Sequence, residues 1–246
     1  MNKKILMGLL AVAAIAVVAT AGTIAFFSDN EVSKDNNFIA GSIDLKVADT
    51  NVFTHQASDS TQGGWDFKDL GTTEQFFNFS DLKPGDWGKD TAKLKVSTND
   101  AYVCGNVKLT EEKENLAVDP EKDLGDTDES TGELQNYLQF NAWVDMDCDM
   151  QLEEADGDKV IADGLMSNLT LNQNYPFYVG EVKAGDDKKV CIHKKWCFGN
   201  WTSVAEGCDG SGEQNWAQTD SVKGDISFYA VQTRHNTQPD CTQIQW

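Results

Sequence analysis

The chain has 246 residues, and 40 acidic side chains against 20 basic ones give it a formal charge of −20. Such a surplus repels nucleic acid and draws cations, so nucleic acid is not expected as a partner. Apolar residues make up 40% of the sequence, with 12 Phe and 7 Trp, enough for one sizeable core in a domain of this length.

Lys3 and Lys4 precede an uncharged apolar run over residues 5–27, the n-region and h-region of an export signal. Thr23 and Ala25 fit the −3 and −1 positions of a signal-peptidase site, which places the cut between Ala25 and Phe26. Removing residues 1–25 takes the charge to −22 and leaves a soluble, exported chain that meets the membrane only during export. Two other fates stay open. At about 20 apolar residues the run is long enough for a retained anchor, and a cut after Gly8 would leave a pilin-like hydrophobic helix.

The next segment, residues 26–37, has few apolar groups and buries itself poorly. Phe26, Phe27, Ser28, Asp29, Asn30, Glu31, Val32, Ser33, Lys34 and Asp35 therefore form either a frayed end or a strand donated to the sheet edge of a neighbouring copy. Residues 38–246 carry the folded domain. Ile43, Leu45 and Val47 alternate with Asp44 and Lys46 in the first strand, 38–47. Leu94 and Val96 alternate with Lys93 and Lys95; runs at 103–109, 140–144 and 226–230 repeat the period of two. Pro84 and Gly85 occupy the central positions of a type II turn. Short helices are expected within 116–138 and over 163–169, and the acidic stretch 111–133 and the Gly- and Ser-rich stretch 199–218 are expected as solvent-facing insertions. The whole predicts an all-β, jelly-roll-like antiparallel sandwich with loop insertions and few short helices.

Cys104, Cys148, Cys191, Cys197, Cys208 and Cys241 are an even set in an exported chain and predict up to three disulfides. Six cysteines allow 15 pairings and spacing does not choose among them, although Cys197 and Cys208 flank a segment suited to a short loop. A zinc site would need closer Cys or His pairs.

Gly22-Thr23-Ile24-Ala25-Phe26-Phe27-Ser28-Asp29, followed by Phe38-Ile39-Ala40-Gly41-Ser42-Ile43-Asp44-Leu45, resembles the N-terminus of the TasA and camelysin family. The turn Asp81-Leu82-Lys83-Pro84-Gly85-Asp86 and the strand Ile226-Ser227-Phe228-Tyr229-Ala230-Val231-Gln232 are similar to two further family landmarks. The cysteine-rich stretch near Cys197 departs from the biofilm members of the family. The resemblance implies export through a SipW-type signal peptidase and a jelly-roll subunit that polymerises into extracellular matrix fibres. It also implies that the new N-terminus, within residues 26–37, enters a groove of the next copy as a donor strand. The partner is then a homopolymer of the chain itself, outside the cell.

Asp145, Asp147, Asp149, Glu153 and Asp156 have the 1, 3, 5, 9, 12 oxygen spacing of a calcium loop, with Met150 where Gly is usual and Asp156 where Glu is usual. No cofactor other than Ca²⁺ is suggested. His55, His193 and His235 are widely spaced and build no zinc-hydrolase motif, so no catalytic residue is assigned, and His193 is expected on a strand surface. Asn78, Asn168 and Asn200 begin glycosylation sequons. A non-assembling surface module, with Trp65, Trp87, Trp201 and Trp216 exposed to stack on glycans, is the rival from another class.

Overall fold

A computed structural model describes residues 28–32, 43–52, 64–79, 81–128, 130–185, 187–202, 207–212 and 214–246. The signal segment, the cleavage site at Ala25 and Phe26, and Phe27, Ser33, Lys34, Asp35 and His55 lie outside these residues.

Twelve strands run β1 (Ser28–Val32), β2 (Leu45–Val52), β3 (Trp65–Lys68), β4 (Trp87–Val96), β5 (Ala101–Lys113), β6 (Leu138–Asp145), β7 (Lys159–Leu165), β8 (Asn174–Val182), β9 (Val190–Phe198), β10 (Asn200–Trp201), β11 (Cys208–Asp209) and β12 (Ser221–Gln232). Among the described residues one short α-helix, α1 (Asp119–Leu124), follows β5. The main sheets are antiparallel, with orders β1-β12-β5-β8 and β3-β2-β4-β9-β6-β7; β10 and β11 form a small hairpin. Set aside β2, β3 and that hairpin. The remaining eight strands, counted along the chain, lie as 1-8-3-6 in one sheet and 2-7-4-5 in the other, the jelly-roll order. The all-β sandwich is therefore observed, and β2 and β3 extend its six-stranded sheet.

Alternation explains the layers. Leu45 and Val47 on β2, Leu94 and Val96 on β4, and Val190 and Ile192 on β9 face Val103, Val179, Val182, Phe228 and Ala230 of the other sheet in one buried cluster. Each fully buried aliphatic side chain contributes roughly 1.5–3 kcal/mol. A second cluster joins Leu134, Leu138, Trp196, Phe198 and Ala217, with Phe77 and Phe79 packed against it. The turn before β4 forms as expected: Asp86 N–H donates to the Lys83 carbonyl at 2.9 Å, and Gly85 takes a φ of 93° that other residues resist.

The helix expected within 116–138 is α1. Pro120 sits in its first turn, the Glu121 carboxylate accepts from the Val118 N–H at 2.7 Å, and Gly125 ends it at φ 99°. The helix expected over 163–169 does not form. Asp163 and Gly164 instead pair with Asn141 and Phe140 as part of β7, and only Met166–Asn168 makes a single 3₁₀ turn. Neighbouring strand pairing overrides local helical pattern there.

The six cysteines form Cys104–Cys241, Cys148–Cys191 and Cys197–Cys208. The short loop was legible; the other two join residues far apart in the chain. Three disulfides and no free cysteine fit an oxidising environment. Among the described residues, no helix is long and apolar enough to cross a membrane.

Candidate functional site

Three places gather chemistry: the outer edge of β12, the loop after β6, and a pocket of acids between β5 and β12.

β1 pairs antiparallel with β12, from Ser28 opposite Val231 to Val32 opposite Ser227. It forms the outer strand of the four-stranded sheet, so without it the β12 backbone would present unpaired N–H and C=O groups. Ser28, Asp29, Asn30, Glu31 and Val32 thus lie in the chain's own sheet. A neighbour's strand reaches this edge only if the chain's own strand leaves it.

The loop after β6 gathers only part of its expected calcium set. Carboxylate oxygens of Asp145, Asp147 and Asp149 lie within 4.8 Å of one another. Asp145 is fully buried, however, and its oxygens already accept from the N–H groups of Asp147, Cys148 and Met150 and from His193 Nε2 at 2.8 Å. Burial disfavours its charged form, but the bonds from Met150, His193 and Cys148 outweigh this and hold its carboxyl below the usual carboxylate range. Glu153 and Asp156 lean on one another, and sharing a proton raises the Glu153 pKa. Spacing alone had suggested five ligands; the backbone of the loop takes the lone pairs of the first.

His193 is buried, contrary to the surface position expected of it. It is 3% exposed, its Nδ1 lies 2.8 Å from Thr91 Oγ1, and its ring packs on Trp143 with centroids 5.0 Å apart. Burial lowers its pKa. The neutral ring then donates from Nε2 to Asp145 and accepts the Thr91 hydroxyl at Nδ1. The order Asp-His-Thr is that of a nucleophile triad, but Thr91 is itself buried in the middle of β4, away from solvent and substrate. The three groups bind β4, β9 and β6 together. Replacing His193 with Ala should cost about 2 kcal/mol, because the buried Asp145 and Thr91 each lose a partner; a chemical-denaturation midpoint measures it.

Much of the acidic stretch 111–133 faces solvent as expected, but its start is strand and several of its acids are buried. Glu111, Glu112 and Lys113 complete β5 opposite Lys223, Val222 and Ser221, and the residues beyond fold back on the sandwich. Five carboxylates converge there: Glu114, Glu121 and Asp126, all buried, with Glu133 and Asp220 partly covered. Ligand oxygens of Glu114, Glu121 and Asp220, and again of Glu114, Asp126 and Glu133, lie within 4.8 Å of one another.

The backbone holds four of the five acids in place by one oxygen each. Glu114 accepts from the Leu116 N–H at 2.8 Å and Asp126 from the Asp128 N–H at 2.9 Å. Glu121 accepts from Val118 and Asp220 from the Glu133 N–H. The second oxygens, Oε2 of Glu114, Oε1 of Glu121, Oδ2 of Asp126 and Oδ1 of Asp220, are buried and accept no hydrogen bond, as is Oε2 of Glu133.

Crowding shows in the protonation. Burial, then the charges of Asp126, Glu114, Asp128 and Glu121, pushes Glu133 up to about 7. Burial and the neighbouring Glu114 and Glu133 push Asp220 up to about 7 as well. Glu121 is raised by burial and by the charges of Glu114 and Asp126, against the pull of the Val118 N–H. Two triads of carboxylates that share Glu114, short of positive charge, offer the kind of oxygen donors a hard divalent cation takes. No sequence spacing announces it, since Asp220 comes from the far end of the chain.

Asn78, Asn168 and Asn200 are all exposed. Trp65, Trp87, Trp201 and Trp216 are each half-buried instead of exposed; Trp65, for example, packs on Phe76 at 5.3 Å. His235 is exposed, in a left-handed turn at φ 66°. Comparison of the chain with protein-family models and with curated proteins finds no match.

Proposed function

We propose that this protein is a structural subunit of an extracellular fibre, exported by the N-terminal signal and assembled head to tail by donation of the leading strand. The observation that carries this reading is β1 itself. It is a five-residue edge strand at the start of the exported chain, held to β12 by backbone pairing that any copy's strand could make. Exchange between copies repeats that pairing from one molecule to the next, and a contact of this kind that does not close by rotation makes an open filament. The high negative charge keeps the subunits apart until cations screen it.

Calcium belongs to this reading through the acids between β5 and β12 and not through the Asp145–Asp156 loop. Glu114 follows β5 and Asp220 precedes β12, so a cation there fastens the insertion to the strand whose edge β1 covers. Exposed Asn78, Asn168 and Asn200 offer glycosylation acceptors at the surface of the fibre.

Deleting residues 26–37 from the secreted protein should leave a folded monomer that forms no filaments and regains β-strand pairing when a synthetic 26–37 peptide is added. Filaments of normal length from the deleted protein, seen by electron microscopy, would remove strand donation. The pairing of β1 with its own chain favours one second reading, a surface module that keeps the strand and stays monomeric. Native mass measurement at high concentration, with and without Ca²⁺, separates the two.

A further inference from the structure

The core-facing side of the six-stranded sheet holds three ionisable groups where its period demands apolar ones. On β9 the inward row is Val190, Ile192, Lys194, Trp196 and Phe198; on β4 it includes Asp90 before Ala92, Leu94 and Val96; on β2 it is Leu45, Val47 and Asp49. β4 stands between β2 and β9, and Asp90 lies directly opposite Lys194. Lys194 Nζ is 2.6 Å from Asp90 Oδ2, with both side chains under a tenth exposed. The ammonium faces the Phe76 ring at 4.5 Å and the Phe77 ring at 5.6 Å. Asp49 is 1% exposed.

Burial first, and then the neighbouring Asp90 carboxylate, pushes the Asp49 carboxyl up to about 9. It is therefore a protonated acid at neutral pH, in contact with the carboxylate that touches the lysine. Isolating such a pair from water carries a desolvation cost that the mutual attraction offsets only in part. An amide in its place would carry no charge.

We propose that Lys194 and Asp90 condense to an intramolecular isopeptide bond, with Asp49 as the proton carrier. The ammonium first gives a proton to the carboxylate pair, leaving a neutral amine against a neutral carboxyl. Nζ then attacks Cγ of Asp90 to form the C–N bond. Asp49 hands its proton to the departing hydroxyl and receives one from the nitrogen, the C–O bond breaks, and one water leaves. Nothing is oxidised or reduced and no co-reactant is needed. The aromatic wall of Phe76 and Phe77 excludes water, which keeps the amide from hydrolysis. The product ties β4 to β9 in the middle of the sheet, whether or not copies assemble.

The mass of the intact exported protein tests this directly. After allowance for three disulfides, the purified protein should weigh one water less than its sequence requires, and a tryptic digest should yield the Lys194 and Asp90 segments as one branched peptide. Asp49→Ala should restore the full mass while both reacting residues remain, as should Lys194→Met. Asp90→Asn should lose ammonia instead of water and reach the same final mass as the native product. A native protein of full sequence mass, with the two segments released separately, overturns the proposal without recourse to any variant.

Discussion

Calcium added to chelator-treated protein should raise its melting temperature, and the increment should grow as the pH rises from about 5 to about 8. Without a cation, Glu133 and Asp220 keep protons in the folded state up to about 7, well above the range where the unfolded chain releases them. The folded state then binds more protons than the unfolded one across that window. Its stability is greatest below the unfolded carboxylate range and is lost as pH rises through about 7. A cation reverses the sign, since it binds the ionised acids and protons compete with it. At about a thousandfold excess over its dissociation constant it contributes about 4 kcal/mol, near 10 °C in a domain of this size. Replacing Glu114 and Glu121 together with Gln should abolish the increment and flatten the metal-free loss at high pH. A melting temperature indifferent to calcium and chelator at every pH would remove the cluster as a cation site, while leaving strand donation untouched.

The second large effect concerns the disulfides. Cys104 and Cys241 are 137 residues apart, against 11 for Cys197 and Cys208. A bridge restricts the unfolded chain more when its loop is longer, so replacing the first pair with Ala should cost about 5 kcal/mol and replacing the second about 3 kcal/mol or less. Cys104 is fully buried on β5, and its partner begins the 3₁₀ turn Cys241–Gln243 that docks the end of the chain. Loss of the long bridge should therefore also free residues 233–246 to protease before the core unfolds. Equal midpoint shifts for the two double variants, in chemical denaturation, would show that loop length does not govern their contributions.

What could be read from the sequence followed range. Strands were visible because their alternation is local: Leu94 and Val96 against Lys93 and Lys95 needs no knowledge of the partner strand. The turn at Pro84-Gly85 and the short Cys197–Cys208 loop were visible for the same reason. The acid pocket was not, because Glu114 and Asp220 meet only after β5 and β12 have paired, and an acidic stretch of this kind is usually solvated. His193 was misjudged because β9 is buried on both faces, where alternation carries no information about exposure. The loop at Asp145 had a ligand-like spacing, but spacing does not reveal that backbone N–H groups will take its oxygens first. Lys194 stood in view on an inward row and still gave no signal, since only the sheet brings Asp90 and Asp49 beside it.

The three bridges are nested. Cys148–Cys191 and Cys197–Cys208 both lie inside the span closed by Cys104 and Cys241. A single nick anywhere between those outer cysteines therefore severs the chain without separating the pieces, which stay one covalent body until a reductant arrives. Cleavage of that sort leaves the mass of the oxidised protein unchanged but for the water taken up, and the fragments appear only after reduction.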